Sequence, residues 1–236
     1  MRALVFDSSS IITLATNNLL WTLRHLKEKF HGNFYIPEGV KEEVIDKPLQ
    51  IRRFKLEAMQ ILSLISEGVI EIYSNKRIQE RASYFSNLAN NIFEANGSFI
   101  RIVQKGEMES LALVEYLSAN ALVVDERTTR VLVENPLRLA KLFSDKLHTR
   151  VNINKNGMKA FKELTNINVI RSVELMTIAY ENGLLDKYIN EKEKEIVNID
   201  LKRNLLEGLL WGLRLKGCAI STNEINEIMK LKGFRV

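Results

Sequence analysis

Residues 106–130, GEMESLALVEYLSANALVVDERTTR, constrain the fold more than any other stretch. Apolar side chains occupy 108, 111, 112, 113, 114, 116 and 117. That stripe is too wide for a helix with one face in water and predicts a helix buried on most sides. Shortly after it, Ala121-Leu122-Val123-Val124 is apolar without alternation, the pattern of a strand covered on both faces in a parallel sheet. Asp125-Glu126 stops that run. Ala3-Leu4-Val5-Phe6 is a second continuous run, and Asp7 stops it the same way. A carboxylate ending a buried strand is costly without a partner.

The remaining chain alternates. Ser8-Ser9-Ser10 offers N-cap chemistry for a helix through Ile11, Ile12 and Leu14. Further helices are expected over 17–30, from Pro37 through Val44, over 56–65, over most of 76–105 with a break at Asn96-Gly97, and onward from 127 to 162. Strands are expected at 34–36, 68–73 and 167–170. Strands alternating with helices predict an α/β fold with a mainly parallel central sheet flanked by helices. Beyond it, amphipathic helices at 174–188 and 201–215 enclose the charged run 190–195, and a short helix capped by Ser221 or Thr222 follows, with Glu224 near N3. The expected organisation is a first domain over 1–172 and a C-terminal helical extension over 173–236. The apolar faces of the two long helices, with Trp211, either pack on their own domain or form a homodimer interface.

Composition removes several classes of function. Cys218 is the sole cysteine, so there is no disulfide framework and no multi-cysteine metal site, and His25, His31 and His148 show no zinc-ligand spacing. No apolar run approaches the roughly 18 residues of a membrane span. Asp7 comes too soon for a signal peptide, so a soluble, cytoplasmic protein is expected. Residues 127–162 hold nine Lys or Arg (127, 130, 138, 141, 146, 150, 155, 159, 162) against Glu134 and Asp145, a net +7, which leaves −2 of the chain's +5 for the rest. Such a basic segment downstream of acids suits a site that receives a polyanion, or is an ordinary solvated face.

If the strands ending at Asp7 and Asp125 are parallel neighbours, about 4.8 Å apart, their carboxylates lie at one sheet edge. The helix before the second strand runs antiparallel to it, so Glu107 and Glu109 in its first turn point to the same edge. Like charges gathered there raise one another's pKa unless a cation neutralises them. All-oxygen ligands select a hard ion, magnesium or manganese (Mg²⁺ or Mn²⁺). Each acid also has a plainer role: the helix dipole favours Glu107 and Glu109 in a first turn, and Asp125 suits a helix cap. A phosphatase of the haloacid-dehalogenase kind wants an Asp where Ser9 stands. Phosphate-binding glycine loops and nucleophile elbows are absent.

The motifs together resemble the PIN-domain nucleases from Leu4 to about Ser172. VFDSSSII is similar to that family's opening motif, through Asp7 and Ser9; IPEGVKEEVI resembles the second acidic motif and places Glu43. GEMESLAL looks like the G-E-x-E variant of stand-alone prokaryotic members, with Glu109 as third acid and Glu107 beside it. SEGVIEIYS resembles a strand of the same group. VVDERTTR resembles the fourth motif, for which Asp125 and Glu126 compete. Many members carry Asp at the third position and Thr-x-Asp at the fourth, where this chain has Glu and Val-Asp-Glu.

The resemblance implies a metal-dependent endoribonuclease, a hydrolase of RNA phosphodiester bonds. Asp7, Glu43, Glu109 and Asp125 or Glu126 would hold Mg²⁺ or Mn²⁺, with Glu107 adjacent. Ser9 would orient Asp7 or a water, and Arg127 and Arg130 would hold the RNA backbone. A VapC-type toxin, neutralised by a small antitoxin protein, shares this chemistry. A PIN-like module that binds RNA or protein without catalysis is the competing expectation.

Overall fold

The computed structural model describes residues 2–189 and 199–234, so the charged run 190–195 lies outside the described residues. Five parallel strands form the central sheet: β1 (Ala3–Phe6), β2 (Asn33–Pro37), β3 (Glu71–Tyr73), β6 (Ala121–Val123) and β8 (Val169–Ile170), in the order β3-β2-β1-β6-β8. Phe6 lies opposite Val123, and Leu4 opposite both Phe34 and Ala121.

Strand alternation sorts the apolar runs into two cores. Leu4, Phe6, Phe34, Ile36, Ala121 and Val123 face one core. Ala3, Val5, Tyr35, Leu122 and Val124 face the other. Continuous apolar strands follow from this, because both sheet faces carry helices. The first core is closed by α1 (Ser8–Thr16), α2 (Thr22–Phe30), α4 (Lys55–Ser66) and α10 (Ser172–Glu181), together with α11 (Leu201–Leu215) and α12 (Thr222–Leu231). The second is closed by α5 (Lys76–Ala89), α6 (Lys105–Leu117), α7 (Arg127–Glu134), α8 (Pro136–Leu147) and α9 (Lys155–Leu164). Helix α6 is buried nearly all round, from Met108 through Val114, as its wide apolar stripe requires.

The helices beyond residue 172 share the first core with β1. Leu206, Leu210, Leu213, Ile225 and Met229 are buried there beside Leu4 and Phe6, and Trp211 packs against the same cluster. Arg171 fastens the last helix: its guanidinium donates to the Ala219 carbonyl at 2.9 Å, to Glu224 Oε1 at 2.8 Å and to Glu174. The expected boundary at 172 thus corresponds to no break in the core. No described helix is long and apolar enough to cross a membrane.

Several expected elements change. The stretch expected to stay helical to 105 stops at Ala89, and a small antiparallel sheet follows, built from β4 (Phe93–Ala95), β5 (Ser98–Phe99) and β7 (Asn152–Ile153). Asn96 and Gly97, with φ of 51° and 76°, form the two-residue turn between β4 and β5. Two positive φ values are what a tight hairpin demands, and Asn-Gly is the pair that supplies them. The helix expected at 17–30 begins only at Thr22, after a turn through Asn18 at φ 56°. The helix expected at 174–188 ends at Glu181, where Gly183 at φ 70° reverses the chain.

Candidate active site

The carboxyl edge of β1, β2 and β6 gathers the acids. Asp7 caps α1 and is 2% exposed. Its Oδ2 accepts from the Ser9 amide at 3.0 Å and the Ser9 hydroxyl at 2.6 Å, while Oδ1 is buried without a hydrogen bond. Burial pushes its pKa up to about 6, the two Ser9 bonds pull the other way, and the charge of Glu43 adds to the rise. Ser9 has a second task. Its Oγ accepts from the amides of Asp125 at 3.0 Å and Glu126 at 3.3 Å, tying the end of β1 to the end of β6.

Glycines let the next acids approach the backbone. After β2 the chain enters α3 (Glu38–Lys41) and a π-helical turn over Glu42–Asp46 that carries Glu43. Such turns recur at functional sites. Glu43 lies over the first turn of α6, where a Cβ on Gly106 would come 2.9 Å from its Oε1. Glu109, 2% exposed, accepts from the Gly39 amide at 2.7 Å through Oε2, and a Cβ on Gly39 would meet that oxygen at 2.6 Å. Its Oε1 is buried without a hydrogen bond and lies 3.4 Å from the Lys105 ammonium.

Glu107 accepts from the Gln104 amide at 2.8 Å, the reach-back bond of a helix start. Burial first, then the charges of Asp7 and Glu126, push its pKa to about 7. Glu126 caps α7 and accepts from the Thr129 amide at 2.7 Å.

Asp125 is turned elsewhere. It is fully buried, and its two oxygens accept from the Ser172 amide at 2.7 Å and the Ser172 hydroxyl at 2.6 Å, at the N-terminus of α10. Register explains this. Asp7 follows Phe6, which pairs with Val123, so its neighbour across the ladder is Val124. Asp125 continues the side of Val123, toward the first core. The acids that interact electrostatically are therefore Asp7 with Glu43, and Glu107 with Asp7 and Glu126. Among the described residues, no three His, Cys, Asp or Glu side chains converge closely enough to hold a metal ion in common.

The family model DUF3368, described as a PIN domain, matches residues 3–135. The chain belongs to the PIN-domain family. No curated protein matches it, and no solved structure does. The matched segment of this PIN domain carries all six acids, Asp7, Glu43, Glu107, Glu109, Asp125 and Glu126. PIN domains are in general nucleases that act on nucleic acid and typically use divalent metals, which gives the chain its coarse class.

The two expected basic contacts differ in kind. Arg127 is exposed in the first turn of α7 and lines a surface cavity of about 470 Å³. Arg130 is half-buried and spends one guanidinium nitrogen on Glu134 at 3.3 Å. Gly39, Lys105, Gln104, Thr129 and Ser172 also contact these acids, and none of them was among the expected site residues. The glycine of Ile-Pro-Glu-Gly was a legible signal for close backbone approach; the others are ordinary helix-start residues.

Proposed function

We propose that this PIN domain is a divalent-metal-dependent endoribonuclease that hydrolyses RNA phosphodiester bonds at the edge holding Asp7, Glu43, Glu107, Glu109 and Glu126. One observation carries the reading. Asp7 Oδ1 and Glu109 Oε1 are both buried carboxylate oxygens without a hydrogen bond, and nearby carboxylate charge (Glu43 on Asp7, Asp7 and Glu126 on Glu107) adds to the rise in pKa that burial gives Asp7 and Glu107. Buried charge is retained when it is paired or binds metal, and this donor set is all oxygen, suited to Mg²⁺ or Mn²⁺. Mg²⁺ usually keeps several waters and takes only one or two carboxylates, so an open spacing of the acids is compatible with it. Asp7, Glu43, Glu109 and Glu126 would hold the ion, with Glu107 beside them. A bound ion of this class supplies an acidified water and neutralises charge on phosphate oxygens.

The protein's own groups have separate tasks. Ser9 fixes the orientation of Asp7 through two hydrogen bonds and keeps the fourth motif against it. Lys105 and Arg127, exposed at the rim, attract the phosphate backbone, a contact that positions RNA without reading its sequence. A toxin-type ribonuclease checked by a small antitoxin is the narrowest form of this proposal.

The test is cleavage of a generic labelled RNA with Mn²⁺, with EDTA, and by Asp7→Asn in Mn²⁺. Loss of cleavage with both is expected; full cleavage by Asp7→Asn would refute the assignment. The competing reading, a non-catalytic PIN-like binding module, draws on the Lys105 ammonium beside Glu109. That reading requires RNA or protein binding indifferent to metal and to Asp7.

A further inference from the structure

Asp125 is held at every polar group it has. Its amide donates to Ser9 Oγ at 3.0 Å, and its carboxylate accepts from the Ser172 amide and hydroxyl. Its carbonyl accepts from the Ala219 amide at 3.2 Å. Two of these three partners, Ser172 and Ala219, lie outside the PIN segment 3–135. Glu126 follows directly, with φ −68° and ψ 130°, and gives its own amide to Ser9 Oγ at 3.3 Å. Whatever shifts Asp125 shifts Glu126.

Ala219 belongs to a short strap, residues 217–220, between α11 and α12. The strap is gripped from both sides. The Ala219 amide ends on Asp125, and the Ala219 carbonyl accepts from Arg171 Nη1 at 2.9 Å. The same nitrogen donates to Glu224 Oε1 at 2.8 Å on α12, and the rest of the guanidinium bonds Glu174. Arg171 is buried, and a planar fork is what lets one side chain serve a carbonyl and two carboxylates together. Attachment of the tail does not call for it, since Leu206, Leu210 and Leu213 already lie in the first core. Nor does stability, because an apolar replacement of a buried ion pair is often neutral or stabilising. What the guanidinium adds is direction: it fixes the residue whose amide holds Asp125.

We propose that Arg171 is a positioning residue of the acidic edge, acting through Ala219 and Asp125 on Glu126. The inference rests on the metal-dependent reading of that edge and deepens it. Ion binding and the order of the strap are linked, so each strengthens the other.

The test reads Mn²⁺ affinity of the full chain by calorimetry, without RNA and well below the melting temperature. Arg171→Lys keeps the positive charge and loses the fork. Ala219→Pro breaks the grip from the other side. Ile220 N donates to the Cys218 carbonyl at 2.8 Å, and Ala219 has no positive φ, so it centres an inverse γ-turn. The φ of about −75° in such a turn is one proline accepts, so the substitution keeps the turn and removes the amide hydrogen. Leu206→Ala, in the same core and away from the strap, controls for lost stability.

Arg171→Lys and Ala219→Pro should each weaken Mn²⁺ about tenfold or more, the scale of removing a partner behind a metal ligand. Leu206→Ala should lower the melting temperature and leave the affinity. In the parent, saturating Mn²⁺ should slow amide exchange across 217–220. Unchanged affinity in both strap variants, an equal loss in Leu206→Ala, or exchange indifferent to Mn²⁺ would overturn the positioning role. A parent that binds no Mn²⁺ overturns it together with the metal reading. RNA cleavage keeps the two readings apart. Mn²⁺-dependent cleavage with unchanged affinity in both strap variants removes the role of Arg171 and leaves the nuclease. Weakened Mn²⁺ binding in both, with a parent that cuts no RNA, keeps that role and removes the nuclease.

Discussion

Ser172 closes on Asp125 with two hydrogen bonds, its amide reaching Oδ1 at 2.7 Å and its hydroxyl Oδ2 at 2.6 Å. One acid of the fourth motif therefore belongs to the join between β6 and α10, while the next residue, Glu126, shares the electrostatics of Glu107 and Asp7. The two neighbours should separate under mutation. Asp125→Ala strands a buried helix-start amide and hydroxyl and should cost about 2–4 kcal/mol in equilibrium unfolding. Glu126→Gln should change stability by under about 1 kcal/mol and lower the RNA cleavage rate by about a hundredfold or more. The reverse pattern would return the fourth position to Asp125.

Gly106→Ala offers a different dissection. Alanine in a helix is favoured over glycine by about 0.5–1 kcal/mol, yet its Cβ would come 2.9 Å from Glu43 Oε1. The flexible carboxylate can swing away, so the melting temperature should hold or rise. Cleavage should fall at least about tenfold because Glu43 is displaced. Unchanged activity would show that the position of Glu43 does not matter.

The buried acids also set a pH dependence. Asp7 rises from 3.8 to about 6 and Glu107 from 4.5 to about 7 on folding, both chiefly through burial. Folded-state values above the unfolded ones mean that their stabilising contribution is complete below the unfolded values and is lost as pH rises from 3.8 to about 6 for Asp7 and from 4.5 to about 7 for Glu107. In metal-free buffer the melting temperature should therefore decline over that interval, and Asp7→Asn with Glu107→Gln should flatten the decline. Because ligands bind metal deprotonated, the stabilisation by Mn²⁺ should grow over the same interval. A metal effect larger in acid than in base would contradict this.

Cys218 should be inert. Its thiol is buried, and burial first, then the Asp125 charge, push its pKa to about 12. The thiolate is the reactive form, so a chromogenic disulfide reagent should modify it only on unfolding. Asp125→Ala, by loosening the join, should expose it sooner. Prompt reaction of the native chain would mean that this join opens readily.

Much of the architecture is legible without coordinates because burial leaves a compositional mark. The unbroken runs at 3–6 and 121–124 mark strands covered on both faces, and the wide stripe of α6 marks a helix inside the protein. The hairpin at Asn96-Gly97 escaped because its strands are only three and two residues long, too short to show a period beside a long helix. The acids were legible as residue types at strand ends and helix starts. Which oxygen points where was not, since it depends on register. A one-residue offset between Asp7 and Asp125 sends their side chains to opposite faces of the sheet.

Leu4 and Phe6 share a core with Leu206, Leu210 and Leu213, and 200 residues separate Phe6 from Leu206. Helix α11 lies directly over the end of α1, where a Cβ on Gly212 would come 2.8 Å from Asn17 Oδ1. At a synthesis rate of about 5–20 residues per second, the strand bearing Asp7 waits roughly 10–40 s for its cover. The join of Asp125 to Ser172 comes late in translation as well. A half-made chain on the ribosome, surrounded by RNA, thus carries its acids on an unfinished scaffold. The helices that cover this face of β1 are thus the last part of the chain to be made, and they contribute no acid to the edge.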